Sequence, residues 1–224
     1  MYRPKVIVSW SSGKESAWML HVLRQRGEVD VVGLVTTVNG VACRVAMHGV
    51  RLSLLRAQAE AVRLPLWEVP LPQPCSNEVY DAAMRKVVER ARADGVDAFA
   101  FGDLFLDEVR RYREDRLVGT GIAPIFPLWG EPTVQLVEAM LEAGLLATLV
   151  CVDLRVLPRA FAGRLLDCQL LRDLPTAVDP CGERGEYHTF VHAGPMFGRP
   201  IAVAQGEIVE RDSFAFADLV EGPK

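Results

Sequence analysis

The chain lacks an apolar run of the roughly 18 residues that a membrane helix needs, so no membrane partner is expected. No signal peptide is read either: the apolar part of MYRPKVIVSW is too short and reads as a first strand, so a cytoplasmic location is expected. Cysteines in recognisable pairs are missing as well. The five present, Cys43, Cys75, Cys151, Cys168 and Cys181, are scattered and odd in number, and none has CxxC spacing. That excludes a zinc ribbon or redox pair and predicts reduced thiols, with Cys151 and Cys168 buried among apolar side chains. Cys181, beside an acidic motif, stays open. Basic excess is absent too: the net charge is −4, the wrong sign for a general nucleic-acid binder. Internal repeats and low-complexity segments are not found.

What is present suits a globular α/β protein. Half of the 224 residues are hydrophobic, enough for one large domain or two small ones. Lysine occurs only at Lys5, Lys14, Lys86 and Lys224; the arginine excess reads as genome composition, with thermostability the alternative. Strand and helix patterns alternate along the first half. Lys5 to Trp10 is a continuous apolar strand, followed by a helix from Ser16 to Arg26 that ends at Gly27. Asp30 to Thr37 is a strand, Gly49 to Arg63 an amphipathic helix and Leu66 to Val69 a short strand. Asn77 to Ala93 is a helix capped by Asn77 and stopped by Gly95, and Asp97 to Phe101 is a strand. This order predicts a doubly wound parallel sheet. After Arg116 the texture changes: IAPIFPLWGEPT has three prolines and suits a boundary or an active-site wall. A helix from Thr133 to Gly144, a strand from Leu145 to Asp153, a helix from Phe161 to Arg172 and strands at Tyr187 to Val191, Ile201 to Gln205 and Glu207 to Arg211 follow. The expected fold class is therefore α/β with a smaller C-terminal α+β lobe, divided into residues 1–128 and 129–224.

The stretch VSWSSGKES, residues 8–16, resembles a Walker A loop with two essential positions changed. Val8 stands where its first Gly belongs and Glu15 where the Ser or Thr for Mg²⁺ belongs, which argues against a P-loop NTPase. Ligands of an open parallel sheet bind at the carboxyl ends of its strands. Those ends carry Ser11, Ser12 and Gly13, then Thr36 and Thr37, then Gly102 and Asp103. The loop amides, at a helix start, would favour phosphate, and Lys14 would add a full charge.

Ser11-Ser12-Gly13-Lys14-Glu15-Ser16 resembles the SGGKDS loop of the PP-loop ATP pyrophosphatases. MHGVR at 47–51, FGD at 101–103, FPLW at 126–129 and above all CGERGEYHTF at 181–190 narrow the resemblance to their diphthine-ammonia ligase-like family, over nearly the whole chain. Ser12 stands where that loop usually has Gly, and Glu15 where it has Asp. The resemblance implies a HUP-like, PP-loop ATPase fold, ATP and Mg²⁺ as cofactors, and a carboxylate-bearing substrate and ammonia as partners, with a homodimer left open. It implies adenylation of the carboxylate, release of pyrophosphate and AMP, and amide formation. Ser11, Ser12, Gly13, Lys14, Glu15, Ser16, Thr36, Thr37, His48 and Gly102 would bind nucleotide; Lys14, Asp103, Glu183 and Glu186 would serve the chemistry. No protein metal ligand is assigned. The HGVR and FGDLFLDEVRRYRE segments suggest a subgroup whose acceptor differs from diphthine. The alternatives are a nucleotide sensor without turnover, or a plain nucleotide hydrolase.

Several of these residues also have an ordinary structural reading. Ser11 and Ser16 suit helix caps, Asp103 a cap for the next segment, His48 a local hydrogen bond, and Glu183 and Glu186 loop charges. RRYRED, residues 110–115, reads as a solvated helix face, with Arg113 touching substrate as its alternative. Phe126 and Trp129 read as wall or core.

Overall fold

A computed structural model describes residues 2–40, 44, 45 and 48–223; Cys43 and Met47 lie outside the described residues. In chain order the elements are β1 (Lys5–Ser9), α1 (Lys14–Arg26), β2 (Asp30–Asn39), β3 (Arg44–Val45), α2 (Leu52–Val62), β4 (Leu66–Leu71), α3 (Asn77–Ala93) and β5 (Ala98–Ala100). They continue with α4 (Asp107–Leu117), β6 (Ala123–Ile125), α5 (Thr133–Glu142), β7 (Leu146–Asp153), α6 (Cys168–Asp173), β8 (Tyr187–Ala193), β9 (Val203–Arg211) and β10 (Phe214–Glu221).

Five strands pair in parallel in the order β4-β2-β1-β5-β6, and β3 adds antiparallel to the far end of β2. The chain winds outward from β1 to β2 and β4, then crosses back to β5 and β6. The order therefore reverses between β1 and β5, where a parallel sheet opens a ligand crevice at its carboxyl edge. The expected parallel α/β sheet is observed. The second sheet is antiparallel, in the order β8-β7-β10-β9.

Period-two alternation sorts the strands between two cores. Val6 and Val8 of β1, Leu34 of β2, and Ala98 and Ala100 of β5 join a core that also takes α1, α2 and the second sheet through Leu149, Phe190, Val191 and Ala215. Ile7, Val35, Phe99 and Phe101 face the other way, onto Val87 and Ala91 of α3. Each fully buried aliphatic side chain contributes about 1.5–3 kcal/mol. Because one core covers both a face of the parallel sheet and the second sheet, β8 is fixed directly beside the loop that follows β1.

Several elements differ from expectation. The helix expected over Phe161 to Arg172 is a single 3-10 turn at Arg159–Phe161 and the short α6. Gly163 adopts φ 83, and residues 163–166 instead hydrogen-bond along β7 through Gly163 to Leu149, Leu149 to Arg164 and Leu166 to Ala147. Asp167 then caps α6 by accepting from the Leu170 amide at 2.7 Å. Cys168, expected inside, is exposed on that short helix, whereas Cys151 is buried. Ser76, not Asn77, caps α3 by accepting from the Val79 amide. The two strands expected across Gly206 are one, β9, and β10 was not foreseen. The proline-rich stretch hides β6, where Pro124 sits in a strand whose only partner among the described residues is β5, an edge position that tolerates a missing amide donor.

Candidate functional site

The loop after β1 is held from two sides. Its Ser12 carbonyl accepts from the Val191 amide of β8 at 3.1 Å and from Gln58 of α2 at 3.0 Å. Gln58 is fully buried and also accepts from the Trp10 indole at 2.8 Å and donates to the Val191 carbonyl at 2.6 Å. Ser12 has φ 70, a left-handed conformation that favours glycine. Its hydroxyl is fully buried and makes no hydrogen bond among the described residues. Ser11 and Ser16 are partly spent locally: Ser11 Oγ accepts from the Gly13 amide at 3.2 Å, and Ser16 Oγ donates to the Gly13 carbonyl at 2.9 Å. Lys14's amide donates to Thr189 Oγ1 of β8 at 3.1 Å. Among the described residues the Glu15 and Ser16 amides keep no partner at the helix start, the position where amides attract anions.

Lys14 does not lie on the loop's outer face. It is 1% exposed, and its Nζ points across the seam between the sheets. There it donates to the Cys181 carbonyl at 2.5 Å, pairs with Glu15 Oε1 at 2.5 Å and lies 4.8 Å from the centroid of the Tyr187 ring. Burial is the largest single influence and would lower the Lys14 pKa; the charge and hydrogen bond of Glu15, with Tyr187 and Cys181, together outweigh it, and the ammonium is held firmly protonated.

The GERGE segment meets the same crevice. Gly182 has φ 66, and a Cβ there would meet Tyr187 atoms at 2.9 Å, so the turn requires glycine. Glu183 crosses to the loop after β5, where its Oε1 accepts from the Leu104 amide at 2.7 Å. Burial pushes the Glu183 carboxyl up to about 7, helped by the nearby charges of Glu15 and Asp103 and opposed by the Leu104 amide and Lys14. Glu186, expected to face the crevice with it, is instead 6% exposed inside its own loop, accepting from the Asp179 amide at 3.0 Å and the Arg184 amide at 2.9 Å. The loop's organiser is Asp179, which accepts from the Cys181 and Glu183 amides and from the Thr133 hydroxyl at 2.8 Å. Cys181 is buried, and its thiol is pushed up to about 12 by burial, which removes it as a nucleophile at neutral pH.

The remaining expected residues divide. Gly102 packs on the loop: a Cβ there would stand 3.2 Å from the Glu15 Cβ. Asp103 lies 3.5 Å from Arg113 Nε and caps no helix. His48 lies over Gly13, whose hypothetical Cβ would be 3.2 Å from His48 Cε1, and it stacks on His188 with ring centroids 4.4 Å apart. Burial lowers the His48 pKa well below its usual value, with His188 adding to this, and burial next to Lys14 pushes His188 down to about 4. Both rings are neutral at physiological pH, and His48 Nδ1 has no partner among the described residues. Thr36 is spent on the Trp10 carbonyl at 2.7 Å, and β2 runs on through Thr37 to Asn39, so this pair is not the strand-end turn that was expected. Phe126 stacks on Phe101 and meets Trp129 edge-on, which makes them a wall. Sequence reasoning missed Gln58, Asp179, Thr189 and His188. Only the last two had a signal, as part of the CGERGEYHTF motif.

A family profile described as the diphthamide synthase N-terminal domain matches residues 4–120, and one described as the diphthamide synthase C-terminal domain matches residues 132–221. The chain belongs to the diphthine-ammonia ligase-like family. A Bos taurus protein named diphthine–ammonia ligase is 28% identical over 180 residues, which cover 72% of this chain and 66% of that protein. A Danio rerio protein of the same name is 31% identical over 180 residues, covering 72% of this chain and 69% of the relative. In the Schizosaccharomyces pombe protein of that name the match is 33% identical over 97 residues, 42% of this chain and 16% of the relative. The chain thus spans just under two thirds of the bovine protein's length and a small part of the yeast protein's. Among the described residues no helix is long and apolar enough to cross a membrane.

Proposed function

We propose that this chain is an ATP-dependent ligase that adenylates a carboxylate and converts it to an amide with ammonia. Residues 1–128 would bind ATP, and residues 129–224, the expected substrate lobe, would bring Glu183 to the reacting acyl group at the shared crevice. The observation that carries the reading is the meeting of the two motif loops at the β1/β5 reversal: Lys14 reaches the Cys181 carbonyl while Glu183 reaches the Leu104 amide. The names of the relatives support the same reaction class.

An ATP fit is supported by the buried, unpartnered Ser12 hydroxyl and by the open Glu15 and Ser16 amides at the start of α1. Among the described residues no group of three or more His, Cys, Asp or Glu is placed to hold a metal ion. Mg²⁺ would enter with the triphosphate and offset the charge of its phosphates. A carboxylate oxygen attacks the α-phosphorus, the bond to the bridging oxygen breaks, and pyrophosphate leaves with the electron pair. Ammonia's lone pair then attacks the acyl carbon, and AMP departs. The Glu183 carboxylate, held near neutrality by burial, takes the proton that turns ammonium into ammonia, while the second proton leaves to solvent. Lys14 keeps a permanent positive charge behind the loop, and Glu186 and Asp179 hold Glu183 in place.

A nucleotide sensor without turnover is the second reading, favoured by one feature: the Lys14 ammonium is already engaged by Glu15 and Cys181. Analysis of the products of ATP separates the two. The ligase reading predicts AMP and pyrophosphate in amounts that depend on both an added carboxylate and ammonium. Tight ATP binding with no pyrophosphate under any carboxylate tested would establish the sensor.

A further inference from the structure

On the opposite face of β5 from α1, a cavity of about 170 Å³ opens between α3 and α4. It is too small for a nucleotide and suits a ligand the size of a side chain. Met84 and Val88 line it from α3 at helical spacing, and Tyr112 and Leu117 from α4. Phe99 and Phe101 form the floor. The cavity is therefore apolar at depth and ringed by three guanidinium groups against one carboxylate, in a chain whose net charge is −4.

Not all of those guanidinium groups are committed. Arg116 is paired with Asp81 at 2.8 Å. Arg113 touches Asp103 only at 3.5 Å, the long limit of a hydrogen bond, while lying 4.8 Å over the Phe101 ring. Arg85 is exposed and has no ion-pair partner among the described residues. Arg85 thus stands uncommitted at the cavity and Arg113 is held only by its long contact to Asp103, so the pair can turn to an anion.

The cavity adjoins the candidate crevice through one short segment. Phe101 lines the cavity, Gly102 packs on Glu15 of the loop, and Leu104 binds Glu183. Resting on the ligase reading, we infer that this cavity is the acceptor subsite: it takes the apolar body of a monocarboxylate and holds the carboxylate with Arg113 and Arg85 beside Asp103. A cationic rim favours the acid over its amide, so the same pocket that admits substrate releases the uncharged product.

The probe pair is 3-phenylpropionate and 3-phenylpropionamide, with affinities measured by calorimetry on the full chain and ATP affinity measured separately. The expected result is binding of the acid at least tenfold tighter than the amide. Arg85→Glu, on an exposed position, and Met84→Trp, which fills the cavity, should each weaken acid binding tenfold or more and leave ATP affinity within twofold. Equal affinity for acid and amide, or acid binding unchanged in both variants, would overturn the subsite. Selective acid binding lost in both variants, together with no pyrophosphate exchange for any carboxylate, would instead keep the pocket and remove the ligase reading.

Discussion

Glu183 and Lys14 are two charges that sequence alone placed in one site without saying how they would be held. Glu183 titrates near neutrality because burial outweighs the amide and ammonium that favour its charged form. As the base of the proposed second step it must be ionised, so amide formation should rise with pH through about 7 and level off above it. In Glu183→Gln that inflection should vanish and single-turnover amide formation fall by orders of magnitude, with ATP affinity within about tenfold, or 1.4 kcal/mol. The same shift affects stability with the opposite sign. A carboxyl whose folded pKa is raised stabilises the fold below its unfolded pKa and loses that contribution as pH rises through about 7. Urea unfolding should therefore find Glu183→Gln as stable as the wild type near pH 4 and more stable at pH 8, by on the order of 1–2 kcal/mol once solvent screening is allowed for. Lys14 reads in sequence as a full charge added to a phosphate-binding loop. Buried between Glu15, Tyr187 and the Cys181 carbonyl, it is also structural. Lys14→Met should cost about 3–5 kcal/mol by stranding a buried charge, measurable by denaturant unfolding alongside ATP binding.

At the scale of elements, the loop from Asp179 to Tyr187 carries the account. Its glycine turns were legible from GERGE, because two glycines around carboxylates signal a tight bend. Which carboxylate faces outward was not legible: Glu183 and Glu186 differ only in whether backbone amides of the same loop lie within reach, and that depends on the fold of residues 179–186. Asp179 had no motif at all, yet it satisfies two amides and a hydroxyl. Asp179→Ala should destabilise the protein by about 2–4 kcal/mol by leaving those donors buried without partners, and should lower amide formation more than ATP binding, since Glu183 loses its anchor. Thermal unfolding and single-turnover assays on the same preparation check both. The expected α-helix over Phe161 to Arg172 failed for a related reason. Its apolar spacing fits a helix, but Gly163 and the open side of β7 offered the backbone better partners.

Across the whole molecule, the parallel sheet was readable because β1, β2 and β5 are apolar strands alternating with periodic helices, and their carboxyl ends pointed to the crevice, whereas the reversal between β1 and β5 shows only in the fold. The packing of β8 against the first loop was not readable. It rests on Gln58 and Thr189, whose side chains bond to Ser12, Val191 and Lys14 over separations of up to 175 residues. Those long-range bonds join the two family segments, residues 4–120 and 132–221, into one candidate site, so activation of a carboxylate is the central claim. Its most direct measurement uses carboxylates labelled with ¹⁸O in the presence of ATP and ammonium. The account predicts one labelled oxygen transferred to AMP for each amide formed. Label in inorganic phosphate, or ATP cleaved with no label in AMP, would contradict it.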